Sequence, residues 1–95
     1  MAAYVIYQAD VLDSDEYEKY RVLAGPSVLA GGGRYLVRGG DVEVLEGTLP
    51  AGRTVVLEFP DRDTLLRWYH GDYAEIRKLR EGCADATLYV VDGIN

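Results

Sequence analysis

The chain has 95 residues, enough for one compact domain (residues 1–95) and too few for two. Its net charge of −6 disfavours binding to nucleic acids or to anionic membrane surfaces, and no apolar run approaches the roughly 20 residues that span a bilayer. Its one cysteine, Cys83, excludes an internal disulfide and is typical of a cytoplasmic protein. With only one histidine as well, a structural zinc site of four Cys and His ligands is impossible within one chain, and no metal or cofactor is predicted.

The first third of the chain predicts a strand, a helix and a glycine-rich stop. Residues 4–9 are β-branched and aromatic, which is typical of a strand. Asp13 is the predicted helix N-cap, and apolar residues then recur at helical spacing. We expect Pro26 to kink or break this helix and the glycines at 31–33 to end it.

The rest of the chain predicts three more strands, a short hairpin arm and a second helical region. Asp61 is the predicted N-cap of that region, and the residues around Gly71 interrupt it. The predicted elements are strand 34–38, hairpin arm 42–46, strand 53–59, helix 64–69, a helical continuation over 73–80, and strand 87–91. Their order predicts an α+β, ferredoxin-like βαββαβ domain with one short extra hairpin strand.

The strand patterns place large apolar side chains on both faces of the predicted sheet. In strand 53–59, for example, Val55, Leu57 and Phe59 point to one face while Val56 points to the other. Two helices can cover only one face of a four-stranded antiparallel sheet. A bare apolar patch of several hundred Å² is unusual on a monomer, so we expect a homodimer formed through the helix-free face.

Several segments of the sequence are similar to the DUF1330 family. They are residues 32–40 (Gly-Gly-Arg-Tyr-Leu-Val-Arg-Gly-Gly), Val44-Leu45-Glu46-Gly47, Glu58-Phe59-Pro60, Tyr20, Pro26, and the series Trp68-Tyr69, Tyr73 and Arg80. The resemblance covers nearly the whole chain and implies a dimeric α/β-barrel fold, in which two ferredoxin-like protomers join sheet to sheet. It supplies no reaction, because the family is named for its unknown function. The wider superfamily includes cofactor-independent monooxygenases, isomerases, cyclases and haem-binding members.

Three residues are candidates for catalysis. Arg38 and Glu58 are each a charge inside an apolar strand, and they can form an ion pair if the two strands are neighbours in register. Such a pair either orients an anion, with Glu58 as a base of raised pKa, or is purely structural. His70 lies between two helical pieces, where it is either an acid–base group, a lone metal or haem ligand, or a solvated loop residue.

Candidate ligand-binding residues are aromatic or basic. Tyrosine combines an apolar ring with a hydrogen-bonding tip, which suits a pocket for a planar organic ligand, although such residues also form cores and interfaces. Two arginines at helical spacing could bind a carboxylate or pair with surface acids. The set comprises Tyr17, Tyr20, Trp68, Tyr69, Tyr73, Arg77 and Arg80, with Tyr7 as a further aromatic.

The sequence leaves two functions open. The first is a homodimer with a cleft between sheet and helices that binds a small aromatic or anionic metabolite for cofactor-independent proton transfer, isomerisation or oxygenation. In that case Arg38 orients the anion and Glu58 or His70 moves the proton. The second is a non-catalytic ligand-binding or structural module with the same fold.

Overall fold

The computed structural model describes residues 1–94 and contains two successive strand–helix–strand units. Pro60 and then Asp61 mark the passage from the first strand of the second unit to the second helical region. The elements are β1 (Ala3–Val11), α1 (Ser14–Ala30), β2 (Arg34–Arg38), β3 (Arg53–Phe59), α2 (Arg62–His70), α3 (Asp72–Ile76), a 3₁₀ turn (Arg77–Arg80) and β4 (Ala84–Asp92).

The four strands form one antiparallel sheet in the order β2-β3-β1-β4. Val5 at the centre of β1 lies opposite Leu57 of β3 on one side and Val90 of β4 on the other. A bulge between Tyr35 and Val37 shifts the register of β2 against β3. This arrangement confirms the predicted α+β fold with a ferredoxin-like order of elements.

Both predicted N-caps form, but the predicted helix break does not. The Asp13 side chain accepts a hydrogen bond from the Glu16 backbone N–H, and Asp61 does the same for Thr64. Helix α1 runs through Pro26 to Ala30, so the expected interruption is wrong. Pro26 faces solvent while Ala24, Ser27 and Val28 around it are buried. Packing of these neighbours against the sheet therefore outweighs the helix-breaking tendency of the proline.

The predicted hairpin strand over residues 42–46 does not form either. Residues 39–52, here called the arm, form an exposed segment without regular structure. Backbone hydrogen bonds hold the arm at its two ends, from Gly39 N–H to the Thr54 carbonyl and from Gly52 N–H to the Asp10 carboxylate. The arm pairs with no strand of the described chain, although β2 lies at the edge of the sheet and has one free side.

The helices cover one face of the sheet and leave the other open. Inward-pointing residues such as Val5, Leu57 and Phe59 form the core with Leu65 and Trp68 from α2. The opposite side, here called the helix-free face, carries Tyr4, Ile6, Val56, Tyr89 and Val91. The described chain is accordingly a slab of 34 × 32 × 16 Å. Within residues 1–94 no helix combines the length and apolar character needed to cross a membrane.

Candidate functional site

A partly open cavity lies between α1 and the helix-covered face of the sheet. The empty space at the site is about 410 Å³ including the part that opens to solvent, but only about 30 Å³ of it has room for the centre of a water molecule. Val5, Val55 and Leu57 form its apolar floor, because alternation along β1 and β3 turns these side chains inward. Aromatic side chains and arginines form the walls.

Four tyrosines around the cavity are joined in pairs through their hydroxyl groups. The Tyr7 and Tyr17 oxygens lie 2.9 Å apart, and those of Tyr20 and Tyr73 lie 2.5 Å apart. Tyr17 and Tyr20 share one face of α1 because they are three residues apart. Burial raises the pKa of Tyr7 and of Tyr20 well above the usual value, with the partner tyrosine adding to the effect. These hydroxyls therefore stay protonated and can donate hydrogen bonds.

Two arginines without a carboxylate partner also line the cavity. The Arg38 guanidinium stacks 4.3 Å from the ring centroid of Tyr35. It lies against Gly25, where a Cβ would come within 2.8 Å of an Arg38 nitrogen, so this glycine provides its space. The Arg53 Nε is buried and has no hydrogen-bond partner within the described chain. By contrast, neighbouring Arg21 is paired with Glu18. Among residues 1–94, neither Arg38 nor Arg53 forms an ion pair.

The predicted pairing of Arg38 with Glu58 does not form. The register of β2 against β3 places Arg34 opposite Glu58 and Arg38 opposite Val55. Arg34 Nε donates to Glu58 Oε1 at 2.6 Å, and the Tyr4 hydroxyl donates to Oε2 at 3.1 Å. These two hydrogen bonds lower the pKa of the Glu58 carboxyl, the opposite of the raised pKa that a base would need. Glu58 belongs to the helix-free face and does not line the cavity.

His70 also lies away from the cavity. It is exposed at the end of α2, and its ring packs edge-on against Tyr69 with a centroid distance of 5.2 Å. Tyr69 lies behind the cavity wall, 6.3 Å from Trp68 between ring centroids. The solvated interpretation of His70 therefore agrees with its placement.

Arg77 and Arg80 contact aromatic rings instead of acidic side chains. Arg77 lies 5.1 Å from the ring centroid of Tyr69. Arg80 lies 5.6 Å from that of Tyr7 and donates a long hydrogen bond of 3.5 Å to the Tyr73 hydroxyl. Neither arginine forms an ion pair within the described residues, and neither lines the cavity. Arg80 thus contacts both tyrosine pairs, through Tyr7 and Tyr73, from a position outside the cavity.

The structure brings together about half of the predicted site residues. Those that line the cavity are Arg38, Tyr17, Tyr20, Trp68 and Tyr73, while Glu58, His70, Tyr69, Arg77 and Arg80 do not.

Sequence reasoning missed three of the polar or aromatic residues that line the cavity, Arg21, Tyr35 and Arg53. Arg53 precedes Val55 by two positions, so strand alternation places both on the helix-covered face and could have identified it. Tyr35 could have been identified because it is an aromatic residue inside the predicted strand 34–38.

The chemistry of the cavity wall favours an anion. Its polar side chains are tyrosine hydroxyls, the Trp68 indole and arginines, and none of the described lining residues is Asp, Glu or His. The indole N–H already donates to Ser27 at 3.2 Å. Within residues 1–94 no group of three or more His, Cys, Asp or Glu side chains could hold a metal ion. The arrangement can supply positive charge and hydrogen-bond donors, but it contains no carboxylate or imidazole base.

Comparisons with known proteins find solved structures with a similar fold. No curated protein matches the chain. RPA0582 of Rhodopseudomonas palustris, described as a protein of unknown function, has a similar structure (TM-score 0.78, 16% identity, covering 99% of this chain and 83% of that chain). Rv0793 of Mycobacterium tuberculosis is also similar (TM-score 0.63, 15% identity, 100% and 97%). Such low identities show the fold alone. The family model "Domain of unknown function (DUF1330)" matches residues 2–94, and the chain therefore belongs to that family.

Proposed function

We propose that this chain binds a small organic anion in the cavity between α1 and the sheet. The observation that carries the proposal is the presence of two arginines, Arg38 and Arg53, that line the cavity and lack an acidic partner within the described chain. The Nε of Arg53 is withdrawn from water without a partner, which is costly, whereas Arg38 is exposed; a carboxylate is the best-matched acceptor for either guanidinium. A bound anion would remove that cost.

The rest of the wall defines the remainder of the ligand. The apolar floor and the aromatic rings favour a flat, weakly polar body, which the Trp68 and Tyr73 rings (centroids 4.3 Å apart) could contact. Each tyrosine pair uses one hydroxyl proton in its own hydrogen bond, so one hydroxyl of each pair can donate to an oxygen of the same ligand. The ligand class is thus a small carboxylate with a planar or apolar body, and side chains of the cavity wall must move aside to admit it.

Binding without chemistry is the function that this geometry supports best. A proton-abstracting mechanism needs a base within reach of the substrate. The two candidates for that role, Glu58 and His70, lie outside the cavity, and its tyrosine hydroxyls favour donation.

The chain offers a direct optical test, because Trp68 is its only tryptophan and lines the cavity. Trp68 fluorescence would be followed during titration with benzoate and a panel of small carboxylates, each beside its neutral amide. We expect saturable changes with carboxylates and at least tenfold weaker binding in Arg38→Gln and Arg53→Gln. Arg67→Gln, an exposed arginine away from the cavity, is the matched control. The proposal fails if no carboxylate binds better than its amide, or if all three variants bind alike.

We also infer that two copies associate through the helix-free face. Tyr89 and Val91 are 48% and 44% exposed there, and they lie beside Tyr4, Ile6 and Val56. Burying such a patch contributes roughly 25 cal/mol for each Å² of apolar surface, before the costs of association. Sedimentation equilibrium should give twice the mass of the 10.5 kDa chain, and Tyr89→Asp should shift the equilibrium to monomer. A wild-type chain that stays monomeric at high micromolar concentration would exclude this dimer.

A further inference from the structure

Three side chains separate the cavity from an open groove on the surface. This groove, here called the outer groove, lies between α1 and β2, and its lining includes Pro26 and Leu29. Arg21, Tyr35 and Arg38 line both the outer groove and the cavity. About 430 Å³ of the outer groove has room for the centre of a water molecule, against about 30 Å³ of the cavity. A solute that reaches the outer groove must therefore pass these three side chains to enter the cavity.

Of the three side chains, that of Arg38 is the least restrained. Arg21 is held by Glu18, which accepts hydrogen bonds from its Nε at 2.8 Å and from its Nη2 at 2.7 Å. Tyr35 is partly buried and packs against the hydrophobic core. Among the described residues that line the cavity, Arg38 is the only exposed one. Because exposed side chains change rotamer on a picosecond-to-nanosecond timescale, Arg38 can leave the wall without disturbing the core.

The guanidinium of Arg38 rests in a seat between the strand and the helix. On β2 it stacks on the ring of Tyr35, and on α1 it lies over Gly25. Outside the backbone of the helix itself, the three heavy atoms nearest to a Cβ at position 25 would all belong to this guanidinium, with Nη2 at 2.8 Å and Cζ and Nη1 at 3.6 Å. Any side chain at position 25 would therefore push the guanidinium out of its seat.

We propose that Arg38 is the gate of the cavity: its guanidinium closes the passage from the outer groove and swings outward to admit the ligand. This inference rests on the proposed function, to which it adds the route of entry and the side chain that moves. The free space in the cavity is about that of a water molecule, so room for a ligand must come from a part of the wall that can move. The charge of Arg38 also attracts an anion to the entrance, so the residue that blocks the passage is the one that receives the carboxylate.

Acrylamide quenching of Trp68 fluorescence tests the gate without any ligand. Acrylamide is small and neutral, and Trp68 is the only tryptophan of the chain and lines the cavity. Arg38→Ala removes the gate, and because Arg38 is exposed this change should not unfold the protein. Gly25→Ala keeps the arginine but displaces it from its seat, while alanine is a better helix former than glycine. We expect the quenching constant to rise roughly twofold or more in both variants, because each opens the wall locally.

Two control variants separate this passage from general loosening and from a second route. Gly40→Ala adds a methyl group that meets nothing within 4 Å. Arg67→Ala removes a side chain from a different surface depression, which Trp68 also lines. Both controls should be quenched like the wild-type chain. A rise in Arg67→Ala equal to that in Arg38→Ala would show that acrylamide reaches Trp68 from the other side, and it would overturn the gate.

The remaining outcomes separate the gate from the proposed function. Unchanged quenching in either Arg38→Ala or Gly25→Ala would overturn the gate, even if the wild-type chain binds benzoate. If no carboxylate binds but both variants admit acrylamide while the two controls do not, the proposal of anion binding fails and the passage at Arg38 stands.

Discussion

Gly33 has no room for a side chain, and a single methyl group there should disturb the core. A Cβ at this position would lie 2.5, 2.7 and 2.9 Å from Cζ, Cε2 and Cε1 of Phe59. Phe59 is fully buried, and its ring packs 5.2 Å from that of Trp68 between centroids. The ring cannot move aside unless Trp68, itself only 4% exposed, moves with it.

The magnitude of the effect follows from this overlap. An extra carbon in a close-packed core typically costs about 1–3 kcal/mol. Gly33 does not have a positive φ, so Gly33→Ala adds no backbone strain and gains about 0.4–1 kcal/mol from a less flexible unfolded chain. The expected net loss of about 1–2 kcal/mol corresponds to a fall in Tm of roughly 4–16 °C for a domain of this size. Thermal and urea unfolding, followed by circular dichroism at one fixed protein concentration, would measure it.

A matched glycine and a double variant complete this test. Gly40 also lacks a positive φ, and a methyl group there would meet nothing within 4 Å, so Gly40→Ala should not destabilise the protein. In a Phe59→Leu background, the smaller side chain should make Gly33→Ala much less harmful. The reasoning is refuted if Gly33→Ala and Gly40→Ala unfold alike, or if the cost of Gly33→Ala is the same with Leu at position 59.

Three further predictions concern helix α1 and two titrating sites. Pro26→Ala should raise the free energy of unfolding by about 1–2 kcal/mol, because it restores a helical N–H while removing some restraint from the unfolded chain; urea unfolding showing a loss would contradict this. Because burial raises the pKa of Tyr7 and Tyr20, their contribution to stability is complete below about pH 10 and is lost at higher pH. In an alkaline absorbance titration the Tyr7 and Tyr20 hydroxyls should ionise only as the protein unfolds, and their ionisation in the folded state would contradict this prediction. Because the hydrogen bond from Arg34 lowers the pKa of Glu58, the ionised Glu58 carboxylate stabilises the fold above about pH 4.5, and this stabilisation fades as the pH falls through the lowered pKa. In urea unfolding between pH 3 and 6, Glu58→Gln should therefore make the free energy of unfolding depend less on pH.

Local patterns predict the elements of this fold well. The alternating runs of β2 and β3 give the bounds observed, and the caps at Asp13 and Asp61 follow from short-range hydrogen bonding. The helix break at Pro26 was wrong because propensity was weighed without the packing of the residues on either side. Whether a helix continues through a proline depends on how its neighbours pack in the tertiary structure, and the local sequence does not contain that information.

The candidate site depends on register, which a single sequence does not contain. Arg38 and Glu58 are both charges in neighbouring strands, yet the pairing gives Glu58 to Arg34. A shift of one residue moves a side chain to the other face of a sheet. The bulge between Tyr35 and Val37 makes such a shift, so Arg38 lines the cavity while Arg34 stays with Glu58 on the helix-free face. Tyr17 and Tyr20 were predicted more easily, because their spacing within one helix determines a common face.

The central position of β1 affects how the chain can fold. Val5 must find Leu57 and Val90, so β1 waits for partners that lie far along the polypeptide. Contacts between residues so distant in sequence slow the search for the native topology, which favours folding in milliseconds to seconds over microseconds. During translation, β1 and α1 would leave the ribosome long before either neighbouring strand exists. The nascent first half therefore exposes an unpaired apolar strand until β3 emerges, the stage at which a chaperone would be of most use.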